Sequence, residues 1–152
     1  MVAKKILVLA IVALALQAHA RAQDRGFGLG IILGEPTGLS GKYWVSGRNA
    51  IDAGMAWSFR HEGFFHVHAD YLWHFPLQTQ SAERFNFYAG VGGRLGAEAH
   101  DALLGVRFVG GFAFWPRNTP IDIFVEFAPI LDLAPATEMT ANGGIGVRFF
   151  FH

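Results

Sequence analysis

From Phe27 to the end of the chain, apolar and polar residues alternate with a period of two. That period is the mark of β-strands, whose successive side chains point to opposite faces. Eight such stretches stand out: "FGLGIILG" (27–34), "LSGKYWVS" (39–46), "AIDAGMAWSF" (50–59), "FFHVHADYLWH" (64–74), "RFNFYAGVGGRL" (84–95), "LLGVRFVGGFAFW" (103–115), "IDIFVEFAPILD" (121–132) and "NGGIGVRFFFH" (142–152). The segments between them, "EPTG", "GRN", "RHEG", "PLQTQSAE", "GAEAHDA", "PRNTP" and "LAPATEMTA", are short and rich in turn-forming residues. In "GEPTG", Pro36 fixes one dihedral of a tight turn and Gly38 is expected to supply a positive φ. No helical period, linker or low-complexity tract interrupts the series. The pattern predicts an all-β chain of eight consecutive antiparallel strands in one domain.

The two faces of each stretch differ in kind. In the fourth, Phe65, Val67, Ala69, Tyr71 and Trp73 oppose His66, His68, Asp70, Leu72 and His74; in the seventh, Ile121, Ile123, Val125 and Phe127 oppose Asp122, Phe124 and Glu126. A soluble sandwich or lipocalin buries its apolar face and wets the other. Here the second face mixes glycine, charge and a few aromatics, which suits the inside of a narrow barrel. Its charges also balance: Lys42, Arg84, Arg94, Arg107 and Arg148 match Asp52, Asp70, Asp122, Glu126 and Asp132 in number. An enclosed face needs that balance, because an unpaired buried charge is very costly. The expectation is an eight-stranded antiparallel transmembrane up-and-down β-barrel, turned inside out relative to a soluble protein. Its apolar face meets lipid, and those ten charges with His66 and His68 form a polar network filling the lumen. Most stretches approach the roughly 9–11 residues a tilted strand needs to cross a bilayer. Closure gives every backbone group a partner where lipid offers none.

With both ends of the barrel domain on one side of the membrane, the aromatics sort towards two rims. Tyr43, Tyr71, Trp73, Phe85, Phe87, Phe112, Phe114, Phe149 and Phe151 fall near one, and Trp57, Phe59, Phe65 and Phe127 near the other. Transmembrane barrels carry such aromatic girdles at their interfaces.

Composition and charge sharpen the picture. Of 152 residues, 52% are hydrophobic and 16% charged, with 19 glycines, 15 phenylalanines and no cysteine. The absence of cysteine removes disulfide scaffolds, thiolate metal sites and cysteine nucleophiles. At the N-terminus Lys4 and Lys5 precede "ILVLAIVALAL" (6–16) and then "QAHARA". This is the layout of a signal peptide, residues 1–22, cleaved after Ala20 or Ala22 and followed by a barrel domain over 23–152. The apolar run falls short of the roughly 20 residues of a spanning helix. Loss of Lys4, Lys5 and Arg21 leaves nine bases against twelve acids, with no basic patch for nucleic acid.

These residues resemble the small eight-stranded outer-membrane barrels of the OmpA- and OmpX-like class. The C-terminal "GVRFFFH" is similar to the assembly signal of that class, matched by Gly146, Phe149 and Phe151, although His152 stands where an aromatic usually ends the chain. "GLGIILGEPTGLSGKYW" and "HADYLWH" resemble a group of short outer-membrane barrels without an assigned activity. The resemblance implies residence in the outer membrane of a double-membrane bacterium and insertion by the barrel assembly machinery. It implies a monomer, with no catalytic residue to carry over.

Candidate chemistry is sparse. His66, His68 and Asp70 point one way at a real metal-ligand spacing, but a site needs further convergent ligands. In a charge-filled lumen the same residues serve as hydrogen-bond partners, so no metal or cofactor is expected. A barrel enzyme acting on lipid would need catalytic groups facing lipid, and the assigned lipid-facing positions hold no serine, histidine or acid. His61 and Glu62 in "RHEG" are the nearest candidates and read as a polar turn. Short outward connections argue against an adhesin, and a lumen filled by side chains argues against a pore. The expected role is structural or interactive at the envelope, without catalysis. The alternative from another class is a soluble exported barrel that holds a lipid inside, like a lipocalin.

Overall fold

The computed structural model describes residues 25–58, 63–98 and 100–151. All eight expected strands are present: β1 (Phe27–Glu35), β2 (Thr37–Trp44), β3 (Asn49–Trp57), β4 (Phe65–Leu77), β5 (Arg84–Glu98), β6 (Asp101–Trp115), β7 (Ile121–Ala134) and β8 (Glu138–Phe151). Each pairs antiparallel with the next, and β1 pairs with β8, so the sheet closes on itself. The proposed signal peptide lies outside the described residues, as do Phe59, His61, Glu62 and His152.

Several strands run further than the alternation suggested. β5 continues to Glu98 and β6 begins at Asp101; β7 continues to Ala134 and β8 begins at Glu138. Once two strands are in register, the ladder recruits small residues such as Gly96 and Ala102 whose side chains carry no pattern. The "GEPTG" turn differs in another way. Only Pro36 separates β1 from β2, and Gly38 lies inside β2, paired with Ile32 and Ala56. Positive φ falls instead at Gly26, Gly63 and Asn118. Gly38 is needed for closeness, since a Cβ there would run into the Met55 carbonyl oxygen.

The register sets the shape. Stepping across paired residues from Leu29 leads through Gly41, Ala53, Ala69, Gly93, Val106 and Leu131 to Met139. Yet Leu29 itself pairs with Phe149, ten residues further along β8. Ten positions of stagger over eight strands, at about 3.3 Å per residue and about 4.7 Å between strands, tilt the strands by about 40°. At that tilt a nine-residue strand rises about 22 Å and a fifteen-residue strand about 37 Å. A β-bulge between Leu104 and Gly105 absorbs one irregularity where β6 meets β7.

Such curvature brings neighbouring backbones close on the inside. At Gly92 a Cβ would collide with the Ala69 carbonyl oxygen and the Asp70 carboxylate, whereas at outward-facing Gly41 the nearest atom stands 3.6 Å away. Gly92→Ala is therefore expected to lower stability by about 1–3 kcal/mol, the range for forcing an extra carbon into a packed interior. Gly41→Ala should leave the urea midpoint of the folded barrel within experimental scatter. Equal effects at the two positions would mean that inward crowding does not select glycine.

The outward positions of all eight strands are almost purely apolar. Leu33, Phe108, Phe112, Phe127, Met139 and Ile145 are each more than half exposed. Among the described outward positions the one acidic or basic side chain is that of Glu35, the last residue of β1, which accepts a hydrogen bond from Ser58 at the barrel mouth.

Candidate functional site

Alternation delivers the polar residues to the interior, and the register decides which of them meet. Lys42, Asp52, Asp70, Arg94, Arg107, Asp122, Glu126, Asp132 and Arg148 are all buried there. At mid-height Arg148 donates to Asp52, to Asp122 at 3.3 Å and to the Ser40 hydroxyl at 2.9 Å, with its guanidinium 3.8 Å above the Phe124 ring. Lys42 stands 3.6 Å from the same Asp122 and 2.8 Å from His74 Nε2. His74 Nδ1 lies 3.1 Å from the Arg48 carbonyl oxygen, which can only accept; Nδ1 therefore donates and Nε2 accepts from lysine.

Across the lumen Arg107 Nε reaches both oxygens of Asp70 at 3.1 Å, and its Nη2 reaches Glu126 at 3.3 Å. Tyr88 completes that corner by donating to Glu126 at 3.0 Å. His68 bridges the two halves, 3.6 Å from Asp52 and 4.0 Å from Asp70. A continuous path thus runs from His74 through Lys42, Asp122, Arg148, Asp52, His68, Asp70, Arg107 and Glu126 to Tyr88. Its members come from every strand except β1, whose inward positions include Gly28, Gly30 and Gly34. Nearer the other mouth, Arg94 grips Asp132 through Nε at 2.9 Å and Nη2 at 2.5 Å, and Thr140 donates to the same carboxylate at 2.8 Å.

Two expected members of this network behave differently. Arg84 opens β5 at the barrel rim, where it is exposed and its guanidinium lies 4.5 Å above the Trp115 ring. The alternation gave it the right face, but at that height the interior has already ended. Without it the described interior holds four bases against five acids, with His68 set between two of the acids. His66 is fully buried yet neither ring nitrogen has a hydrogen-bond partner; it packs edge-on against Phe64 and beside His68.

The metal candidate is also rearranged. The group whose ligand atoms converge, all within 4.8 Å of one another, is Asp52, His68 and Asp70, without His66. His66 and His68 share a strand face, but Asp52 arrives from β3 by direct pairing with Asp70. Both carboxylates already face guanidiniums, Arg148 and Arg107, so a dication there would meet two fixed positive charges. The arrangement serves best as an ion-pair network.

The aromatic rims are unequal. Around the end that holds residues 27 and 151, Tyr43, Tyr71, Trp73, Phe85, Phe87, Phe112, Phe114, Phe149 and Phe151 form a nearly continuous band, with Phe85 on Phe114, Phe87 on Phe112 and Phe149 on Phe151. Phe27 and Phe75 extend it. At the other end Trp57 and Phe65 are one cross-strand pair, while Phe127 lies halfway along β7. Leucines and a methionine occupy the remaining positions there. Gly146, by contrast, points inward, where a Cβ would collide with the Phe124 ring.

Residues absent from the expected site fill the rest of the lumen. Trp44, Trp115, Phe150 and Leu72 pack with Tyr88 into an apolar plug towards the terminal end, and Ser40, Thr140 and His74 join the polar groups. Side-chain parity places most of these on the inward face, so the signal was present in the sequence. At the opposite mouth a vestibule of about 610 Å³ is lined by Glu35, Ser58, Arg94, Glu98, Asp101 and Glu138 among others. No known protein family, curated protein or solved structure matches this chain.

Proposed function

We propose that this chain is an integral outer-membrane β-barrel protein of a double-membrane bacterium, with a structural or interaction role at the envelope and no catalysis. One observation carries the reading: the outward faces of eight strands are apolar, while the charges face inward and pair. A soluble monomer rarely exposes a contiguous apolar patch beyond a few hundred Å². This surface girdles the whole barrel, and lipid is the solvent that suits it. A lipocalin-like barrel needs the reverse, an apolar cavity within. The interior here holds ion pairs where such a ligand would lie. On this reading the bilayer and the outer-membrane assembly machinery are the partners, the protein is a monomer, and "GVRFFFH" serves as the assembly signal through Phe149 and Phe151.

The test is gel mobility before and after boiling, on protein expressed with its N-terminal segment and recovered from fractionated membranes. A band in the outer-membrane fraction that changes mobility on heating is the expected result. Recovery in the soluble periplasmic fraction without a shift would overturn the reading.

A further inference from the structure

The two rims of the barrel carry opposite charge. At the end that holds residues 27 and 151, Arg25 precedes β1, Arg48 lies between β2 and β3, Arg84 opens β5 and Arg117 lies between β6 and β7. All four are exposed, and among the described residues the one acid on this rim is Glu83. The far rim carries Glu35, Glu98, Asp101 and Glu138 and, among the described residues, no lysine or arginine. Arg94 lies below it, engaged with Asp132.

The arginines stand just beyond the aromatic band. Arg84 adjoins Phe85, Arg25 is two residues from Phe27 and Arg117 three from Phe114. Arg48 adjoins Asn49, which pairs with Trp73 and donates to the Tyr71 hydroxyl at 2.9 Å. Three residues of chain reach at most about 10 Å, and a headgroup layer is about 5–7 Å deep. With the aromatic rings at the membrane interface, the arginines come level with the lipid phosphates. Arg84 leans over the mouth, its guanidinium 4.5 Å above the Trp115 ring. Even there it is within about 8 Å, one barrel radius, of the surrounding headgroups, less than the screening length of about 10 Å in 0.1 M salt.

We propose that this rim is a docking surface for anionic phospholipid headgroups, which its arginines gather around the barrel. The inference rests on the outer-membrane reading for its bilayer and adds a lipid preference that differs between the two ends. The arrangement favours lipid over a folded anionic protein. A protein would be met by one patch, whereas lipid surrounds the barrel and is met from β1, β2–β3, β5 and β6–β7 alike. The acidic far rim repels the same headgroups.

The experiment uses the full-length protein folded into vesicles of phosphatidylcholine and phosphatidylglycerol, with one or the other carrying brominated acyl chains that quench tryptophan fluorescence. Outward-facing Trp73 reports lipid at the arginine rim, and outward-facing Trp57 reports lipid at the far rim. Trp57→Phe and Trp73→Phe each leave a single outward reporter. Around Trp73, phosphatidylglycerol is expected to be preferred by about fivefold, the weight of one arginine near an anionic surface. Around Trp57 no such preference is expected. In about 1 M sodium chloride, where the screening length is about 3 Å, the preference at Trp73 should vanish. Replacing Arg25, Arg48, Arg84 and Arg117 together by glutamine should abolish it as well. If that variant does not fold, the salt dependence and the Trp57 comparison decide. Equal quenching by the two lipids at Trp73, a preference that survives salt, or the same preference at Trp57 overturns the proposal and leaves the membrane reading standing. Absence of quenching at both tryptophans by either lipid overturns both.

Discussion

Arg148→Leu is expected to lower barrel stability by about 3–5 kcal/mol, or to prevent folding, because it leaves buried carboxylates without their main partner. Asp52 and Asp122 are both buried and both contact this guanidinium. Lys42 remains 3.6 Å from Asp122, so the heavier loss falls on Asp52, which keeps His68 at 3.6 Å and Lys42 opposite it on β2 but no guanidinium of its own. Leucine approximates the volume over Phe124 but supplies none of the charge. The measurement is the urea midpoint of the heat-modifiable species in detergent. Adding Asp52→Asn to Arg148→Leu should recover part of the loss by removing the stranded charge. A single variant with the wild-type midpoint would mean that water reaches these groups and the lumen is not a closed interior.

Ile145→Arg tests the other face. Ile145 lies halfway along β8, 63% exposed, between outward-facing Leu33 on β1 and Val125 on β7. An arginine at the bilayer midplane of a barrel costs about 2–4 kcal/mol. The variant should fold less completely into lipid vesicles, with the deficit growing as the bilayer is thickened and the guanidinium loses its route to the interface. A soluble barrel would tolerate the same change, since an exposed arginine on a strand costs little in water. Full folding yield in thick bilayers would exclude lipid contact at this position.

The strands were legible because period two survives wherever one face of a sheet is enclosed. All eight stretches became strands, and the inward parity of Lys42, Asp70, Arg107 and Arg148 follows directly from it. Partnerships were not legible. Arg107 meets Glu126 nineteen residues away and Asp70 thirty-seven away, and only the register decides that both lie within reach. Parity also says nothing about height. Arg84 has the right face at the wrong level, and Phe127 has an outward face without a place in a rim. The glycine-rich face was legible as the inside of a narrow barrel, but the individual contacts were not: Gly38, Gly92 and Gly146 each mark a place that a methyl group would block, and Gly38 is there for closeness rather than for a positive φ.

The ten-residue stagger between β1 and β8 has to be chosen from near alternatives, and apolar alternation alone cannot choose it. A slip of one residue exchanges the faces and is rejected by every side chain at once. A slip of two preserves the faces, so outward-facing and inward-facing residues remain correctly assigned. It nevertheless moves each inward group along its strand by about 6.6 Å. Arg148 and its β7 neighbour Asp122 would then be carried together away from Asp52, Ser40 and Lys42 across the seam, and the cost of leaving Asp52 without its guanidinium would separate the correct closure from its closest imitation. Buried ion pairs of this kind are poor sources of net stability. Their value in this barrel is discrimination: they act as the key that lets the final strand lock in one position.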